Sequence, residues 1–163
     1  PVNKVAYAFM LICVAQGVYT VVAIAAVGIC IPPLGMGLAT LIGRKNFSAE
    51  ERETGKAALV MGCVGVTEGA IPFADPLRVI PSIMVGSVCG AVTAALVGAQ
   101  CYAGWGGLIV LPVVEGKLGY IAAVAVGAVV TAVCVNVLKS LARKNGSSTD
   151  EKEDDMDLDF EIN

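Results

Sequence analysis

The chain has 163 residues, 56% of them hydrophobic and 15% charged, with a net charge of −3, 19 glycines and no histidine. Soluble domains run at roughly 45–50% apolar and 25% charged, so this balance excludes an ordinary soluble globule and points to glycine-rich helices packed in lipid. The acidity is local: Lys139 to Asn163 holds four basic and eight acidic residues, which leaves the rest of the chain at +1.

The chain begins with Pro1 and has neither an initiator Met nor a signal-peptide pattern, so it reads as the C-terminal piece of a longer protein. PVNK is followed by 27 uncharged residues, Val5 to Ile31, enough at about 1.5 Å each to span a bilayer core of about 30 Å. Pro32 and Pro33 are expected to end that helix, with Leu34 to Ile42 either a short half-helix or its interfacial continuation. Gly43 to Lys56 turns polar, and Ser48 with Glu51 three residues on is a capping-box pattern for a short helix outside the membrane. Its Arg44, Lys45, Arg52 and Lys56 place it on the cytoplasmic side.

Ala57 to Val66 is too short to cross. It leads into TEGAIPFADPLRVIP (67–81), which carries Glu68, Asp75 and Arg78 and three of the seven prolines between apolar flanks. Charges at membrane depth are costly and usually serve a substrate, an ion or a proton, while prolines break helices. The expectation is a hairpin that dips in, breaks near Gly69 to Pro76 and leaves again. Such irregular backbone is tolerated where it lines a cavity, so the substrate site of a transport protein is placed here.

Ser82 to Ala103 is a second full span, with Gly86 and Gly90 at small-xxx-small spacing. Gly104 to Val114 reads as a further re-entrant segment, with Trp105 at an interface. Leu118 to Leu138 is the last span, and Lys139, Arg143 and Lys144 after it put the C-terminus in the cytoplasm. By that count Lys4 starts on the far side or in a cavity reached from it. Residues 145–163 read as an acidic, disordered tail beyond a transmembrane part covering 1–144. Cysteines 13, 30, 63, 89, 101 and 134 lack metal-site spacing and read as small buried packing residues. The class is thus an all-α integral membrane protein with one or two re-entrant hairpins, and no metal, cofactor or nucleic acid is expected.

PVNK at 1–4 and, above all, MGCVGVTEGAIPFADPLRVIP at 61–81 resemble the membrane component (enzyme IIC) of bacterial sugar phosphotransferase permeases of the fructose branch. The resemblance implies a protein of the bacterial inner membrane that binds fructose or a related hexose and presents it to a phosphorylated enzyme IIB domain, with IIA and HPr upstream, as a homodimer. The family's substrate-site glutamate falls on Glu68. A carboxylate there can accept hydrogen bonds from two hydroxyls and take a proton as one of them attacks phosphorus. Thr67, Asn3, Lys4, Asp75 and Arg78 are the further sugar-contacting candidates, although Asp75 and Arg78 can equally pair with each other. One departure from the family pattern is that Phe73 is followed only by Ala74 before Asp75, where one or two further small residues usually stand. The competing readings are an ion-coupled secondary transporter in which Glu68 titrates, and a structural membrane subunit whose three charges satisfy one another.

Overall fold

In the computed structural model the described residues are 2–161 apart from 74, 76 and 105, with side chains over 4–144. Among the described residues five α-helices carry the chain: α1 (Val2–Ala15), α2 (Thr20–Ile42), α3 (Ala49–Val64), α4 (Val79–Val97) and α5 (Lys117–Glu161). Three described stretches are long and apolar enough to cross a membrane, Thr20–Ile42, Val79–Val97 and Lys117–Lys144. The disordered tail expected over 145–163 falls outside the described side chains.

The first break lies elsewhere than expected. The uncharged run from Val5 to Ile31 is not one helix, because α1 stops at Ala15 and Gly17 takes a left-handed φ of 78°. The Val18 N–H donates back to Cys13 O at 2.9 Å and closes the turn. α2 then runs through Pro32 and Pro33 to Ile42, so Leu34 to Ile42 is its own continuation. The prolines remove the donors for the carbonyls of Gly28 and Ile29 without ending the helix, since its neighbours bury it on most sides. Ala6 and Ile29 line the same crevice of about 380 Å³, so α1 folds back along α2 as a hairpin.

The bundle is built on α2. Two thirds of its span is buried, against 28% for α4, whose Met84, Val88 and Leu96 stay exposed as a lipid-facing side would. Gly86 and Gly90 face α5, as their spacing predicts. A Cβ on Gly86 would meet the Thr131 hydroxyl and stand 2.7 Å from Gly127 O, and one on Gly90 would stand 3.1 Å from Ala123 O. Residue numbers rise along α4 as they fall along α5, so these two are antiparallel. The apolar core divides along α2. Val22, Val27, Ile31, Tyr120 and Val124 fill one half, and Met36, Ala39, Phe47, Phe73, Val79 and Val135 fill the other.

α3 starts where the sequence predicts. The Glu51 N–H donates to Ser48 Oγ at 3.1 Å and the Ser48 N–H to Glu51 Oε2 at 2.8 Å, a reciprocal cap of a kind that contributes about 1 kcal/mol. It is longer than expected, however, and absorbs Ala57 to Val64 as one continuous helix. Between α4 and α5, Gln100–Cys101 pairs antiparallel with Val114–Glu115 around a 3-10 segment at Leu108–Val113. The thiol expectation is met in part: Cys13, Cys30 and Cys101 are buried, Cys89 and Cys134 half-buried, and Cys63 is exposed.

Candidate functional site

The segment that carries Glu68 begins with a reversal. Gly65 ends α3 at φ 86°, Val66 N–H donates to Met61 O at 2.9 Å, and Thr67–Phe73 follows as a 3-10 helix. It runs back beside α3, since a Cβ on Gly69 would touch Met61 and Ala58. The reversal thus sits at Gly65–Val66, before the stretch from Gly69 to Pro76 where the sequence suggests a break. Gly65 can be nothing larger, because a Cβ there would collide with the Gly106 carbonyl and lie 2.8 Å from Gly107 N.

Two groups brace this tip. Thr67 Oγ1 donates to Ile29 O at 3.5 Å, a long bond to one of the carbonyls that the α2 prolines leave without a helical donor. The buried Tyr120 hydroxyl donates to Gly107 O at 3.1 Å and holds the neighbouring loop under Gly65. Glu68 projects from the braced segment, exposed and without a hydrogen bond or ion pair among the described residues. Lys4 is also exposed and unpaired among them. It stands two residues before Ala6, which lines the same crevice as Ile29. Asn3 belongs to α1, and its side chain lies outside those described.

Asp75 and Arg78 lie elsewhere. Asp75 Oδ1 accepts from the N–H groups of Leu77 (3.0 Å) and Arg78 (3.2 Å), which caps the start of α4, and its Oδ2 is 3.5 Å from Arg78 Nη1. The pairing that the sequence left open beside a sugar contact is formed. Arg78 shares a crevice with Lys45, Lys139 and Arg143 at the end of the bundle where α2 and the apolar part of α5 finish. Roughly 14 residues of α2 separate Ile29 from Gly43, so the two ends of the motif stand ~20 Å apart in depth at about 1.5 Å per residue. The departure at Ala74 falls outside the described residues.

The basic end is tied together by contacts that the sequence reading misses. Lys139 Nζ donates to Glu51 Oε1 at 2.8 Å and sits 4.0 Å from the centre of the Phe47 ring. Partial burial works to raise the Glu51 carboxyl, but the hydrogen bond and charge of Lys139 and the Ser48 contacts outweigh it and hold the group below its ordinary value. Asn136 Nδ2 donates to Ala39 O at 3.1 Å and its Oδ1 accepts from Asn46 Nδ2 at 3.2 Å. A lone amide in a spanning helix is the signal that points to such a tie. At the opposite end, Tyr102 donates to Glu115 Oε2 at 2.6 Å, and that bond pushes the phenol up.

These features define a polytopic α-helical membrane protein with a broken, charged hairpin beside its central helix. The chain is 98% identical over its whole length to the fructose-like permease IIC component 2 of Escherichia coli strain K12, and covers 46% of that protein. It is 46% identical over 85% of its length to the fructose-specific EIIB'BC component of the PTS system of Xanthomonas campestris, and 39% identical over 85% to the fructose-specific EIIC component of Haloferax volcanii. It covers 25% and 38% of those two, so it spans less than half the length of these curated relatives. The resemblance to fructose-branch IIC components read from 1–4 and 61–81 is borne out. No family model and no solved structure matches the chain.

Proposed function

We propose that the chain is part of the sugar-translocating membrane component of a phosphoenolpyruvate-dependent phosphotransferase system, selective for fructose or a related hexose, with Glu68 at its sugar site. One observation carries this reading: Glu68 is a carboxylate without a partner among the described residues, on a 3-10 segment set by the Gly65 reversal beside the middle of a buried spanning helix. A carboxylate held there orients hydroxyls and accepts the proton of the one that attacks a phosphoryl group. Thr67 positions Glu68 through Ile29. Asn3 and Lys4 supply an amide for further hydroxyls and a charge for the developing phosphate. Asp75 holds the start of α4.

In this reading α3 with Thr67–Phe73 is a re-entrant hairpin. It enters from and returns to the basic end, which faces the cytoplasm of a bacterial inner membrane by its Lys and Arg content. The phosphoryl donor is a phosphorylated IIB domain, supplied by IIA and HPr, and the permease acts as a homodimer. The relatives, fructose-like and fructose-specific IIC components, support the IIC and fructose assignments.

The test uses the full-length protein in membrane vesicles, given labelled fructose, phosphoenolpyruvate and the soluble phosphotransfer proteins. Fructose phosphate inside, lost in Glu68→Gln, is the expected result. Free sugar whose uptake follows the proton gradient moves the chain to the secondary transporters.

A further inference from the structure

The crevice of about 300 Å³ at the basic end is lined by Lys45, Asn46, Arg78, Lys139, Ala142 and Arg143. Among the described residues four cations and no carboxylate line it. The neighbouring crevice, with Arg44, Arg52 and Lys56, also contains Glu53. Among the described residues, carboxylates touch this cluster only from outside the lining, Glu51 on Lys139 and Asp75 on Arg78, and none of them pairs with Lys45 or Arg143.

The cluster is also held in place. Arg143 Nη1 donates to the Lys45 carbonyl at 3.3 Å, which locks the loop before α3 to α5. Asn46 is fixed on Asn136, and Lys139 is confined between Glu51 and the Phe47 ring with only 14% of its side chain exposed. Three separate parts of the chain, the Arg44–Asn46 turn, the start of α4 and α5, therefore converge their cations without mutual neutralisation. An oxyanion with several acceptor oxygens satisfies such a ring, and the guanidinium forks of Arg78 and Arg143 suit phosphate geometry.

We propose that this crevice binds a phosphate group. That the physiological ligand is the phosphorylated sugar leaving the membrane rests on the phosphotransfer reading; the phosphate site itself does not. The same oxyanion chemistry is offered by the headgroup of an anionic phospholipid, and the test separates the two sources.

The full-length protein is placed in phosphatidylcholine nanodiscs, and its unfolding midpoint is followed against inorganic phosphate at constant ionic strength. The double variant Lys45→Gln/Arg143→Gln removes two exposed cations and spares the partly buried Lys139–Glu51 pair. Arg52→Gln/Lys56→Gln removes the same charge from the adjacent crevice. Phosphate is expected to raise the midpoint, with about tenfold more phosphate needed in the first double variant, as for two lost charge-assisted contacts, and no change in the second. A midpoint raised only when phosphatidylglycerol replaces phosphatidylcholine, and lost in the first double variant, sustains the site with a lipid headgroup as its ligand. Equal losses in both double variants, no loss in the first, or no response to either ligand overturns the proposal. No sugar or phosphodonor is present, so an intact phosphate response alongside failed sugar phosphorylation removes the functional reading alone.

Discussion

The two ends of the α3 hairpin are built on opposite plans. At the tip, Gly65 to Glu68, backbone carries the structure: a left-handed glycine, contact with the 106–107 backbone, and hydroxyls of Thr67 and Tyr120 on carbonyl oxygens. A single charge, Glu68, is left unengaged among the described residues. At the base, Ser48 to Glu51 and Asp75 to Arg78, side-chain charge carries it, through a capping box, a Lys139–Glu51 bridge and an aspartate cap. Neutral hydrogen bonds lose no strength to salt or pH, so a tip built from them can hold one carboxylate without pairing it. The base tolerates paired charge because it is partly solvated.

The sharpest way to break this contrast is at Glu68. Glu68→Gln keeps shape and is expected to abolish sugar phosphorylation by the full-length protein while membrane insertion stays normal; full activity removes the tip as the site. Next, Gly86→Val forces α4 from the Gly127 carbonyl of α5 and should cost at least about 2 kcal/mol, read as a lowered unfolding midpoint in detergent. Because the clash is steric and between uncharged groups, this loss should be indifferent to salt.

Tyr120→Phe deletes the hydroxyl under Gly107 and leaves its carbonyl unpaired, for an expected ~1–2 kcal/mol and a reduced transport rate, also independent of salt. The base should instead respond to acid. The folded Glu51 carboxyl is held below its ordinary 4.5, so its contribution is complete above that value and is lost as pH falls through the lowered one. Acid unfolding curves of Glu51→Gln should be flatter in that window, with a difference of about 1 kcal/mol at neutral pH. The smallest effect is expected from deleting Ser147 to Asn163, which should leave transport unchanged; a large loss means that the acidic segment docks a partner.

The parts legible in the sequence are those governed by local chemistry. Ser48 and Glu51 announce the start of α3, and the spacing of Gly86 and Gly90 announces a close face. The uncharged runs locate the later spans but not their ends, since α4 stops at Val97 and Gln100–Cys101, inside the expected span, is a strand. What escapes depends on partners distant in sequence. Pro32 and Pro33 look like a helix end because their missing donors are visible, whereas the packing that keeps α2 continuous is not. The turn at Gly17 hides in an apolar run that hydropathy cannot divide. The separation of Glu68 from Arg78 is likewise set by an extended 3-10 segment, where adjacency in the motif suggested one cluster. Tyr120 and Asn136 are isolated polar residues in one long apolar span, a pattern that signals a buried tie without naming its other end.

The proline pair in α2 also bears on how the protein is made. A helix entering the bilayer alone with the carbonyls of Gly28 and Ile29 unpaired carries a penalty of several kcal/mol at its centre. The hydroxyl that answers Ile29 belongs to residue 67, which leaves the ribosome about 40 residues later. α2 should therefore remain close to water or the insertion machinery until the hairpin arrives, and the two should settle into lipid together. The order of biogenesis is in this sense written into residues 32 and 33.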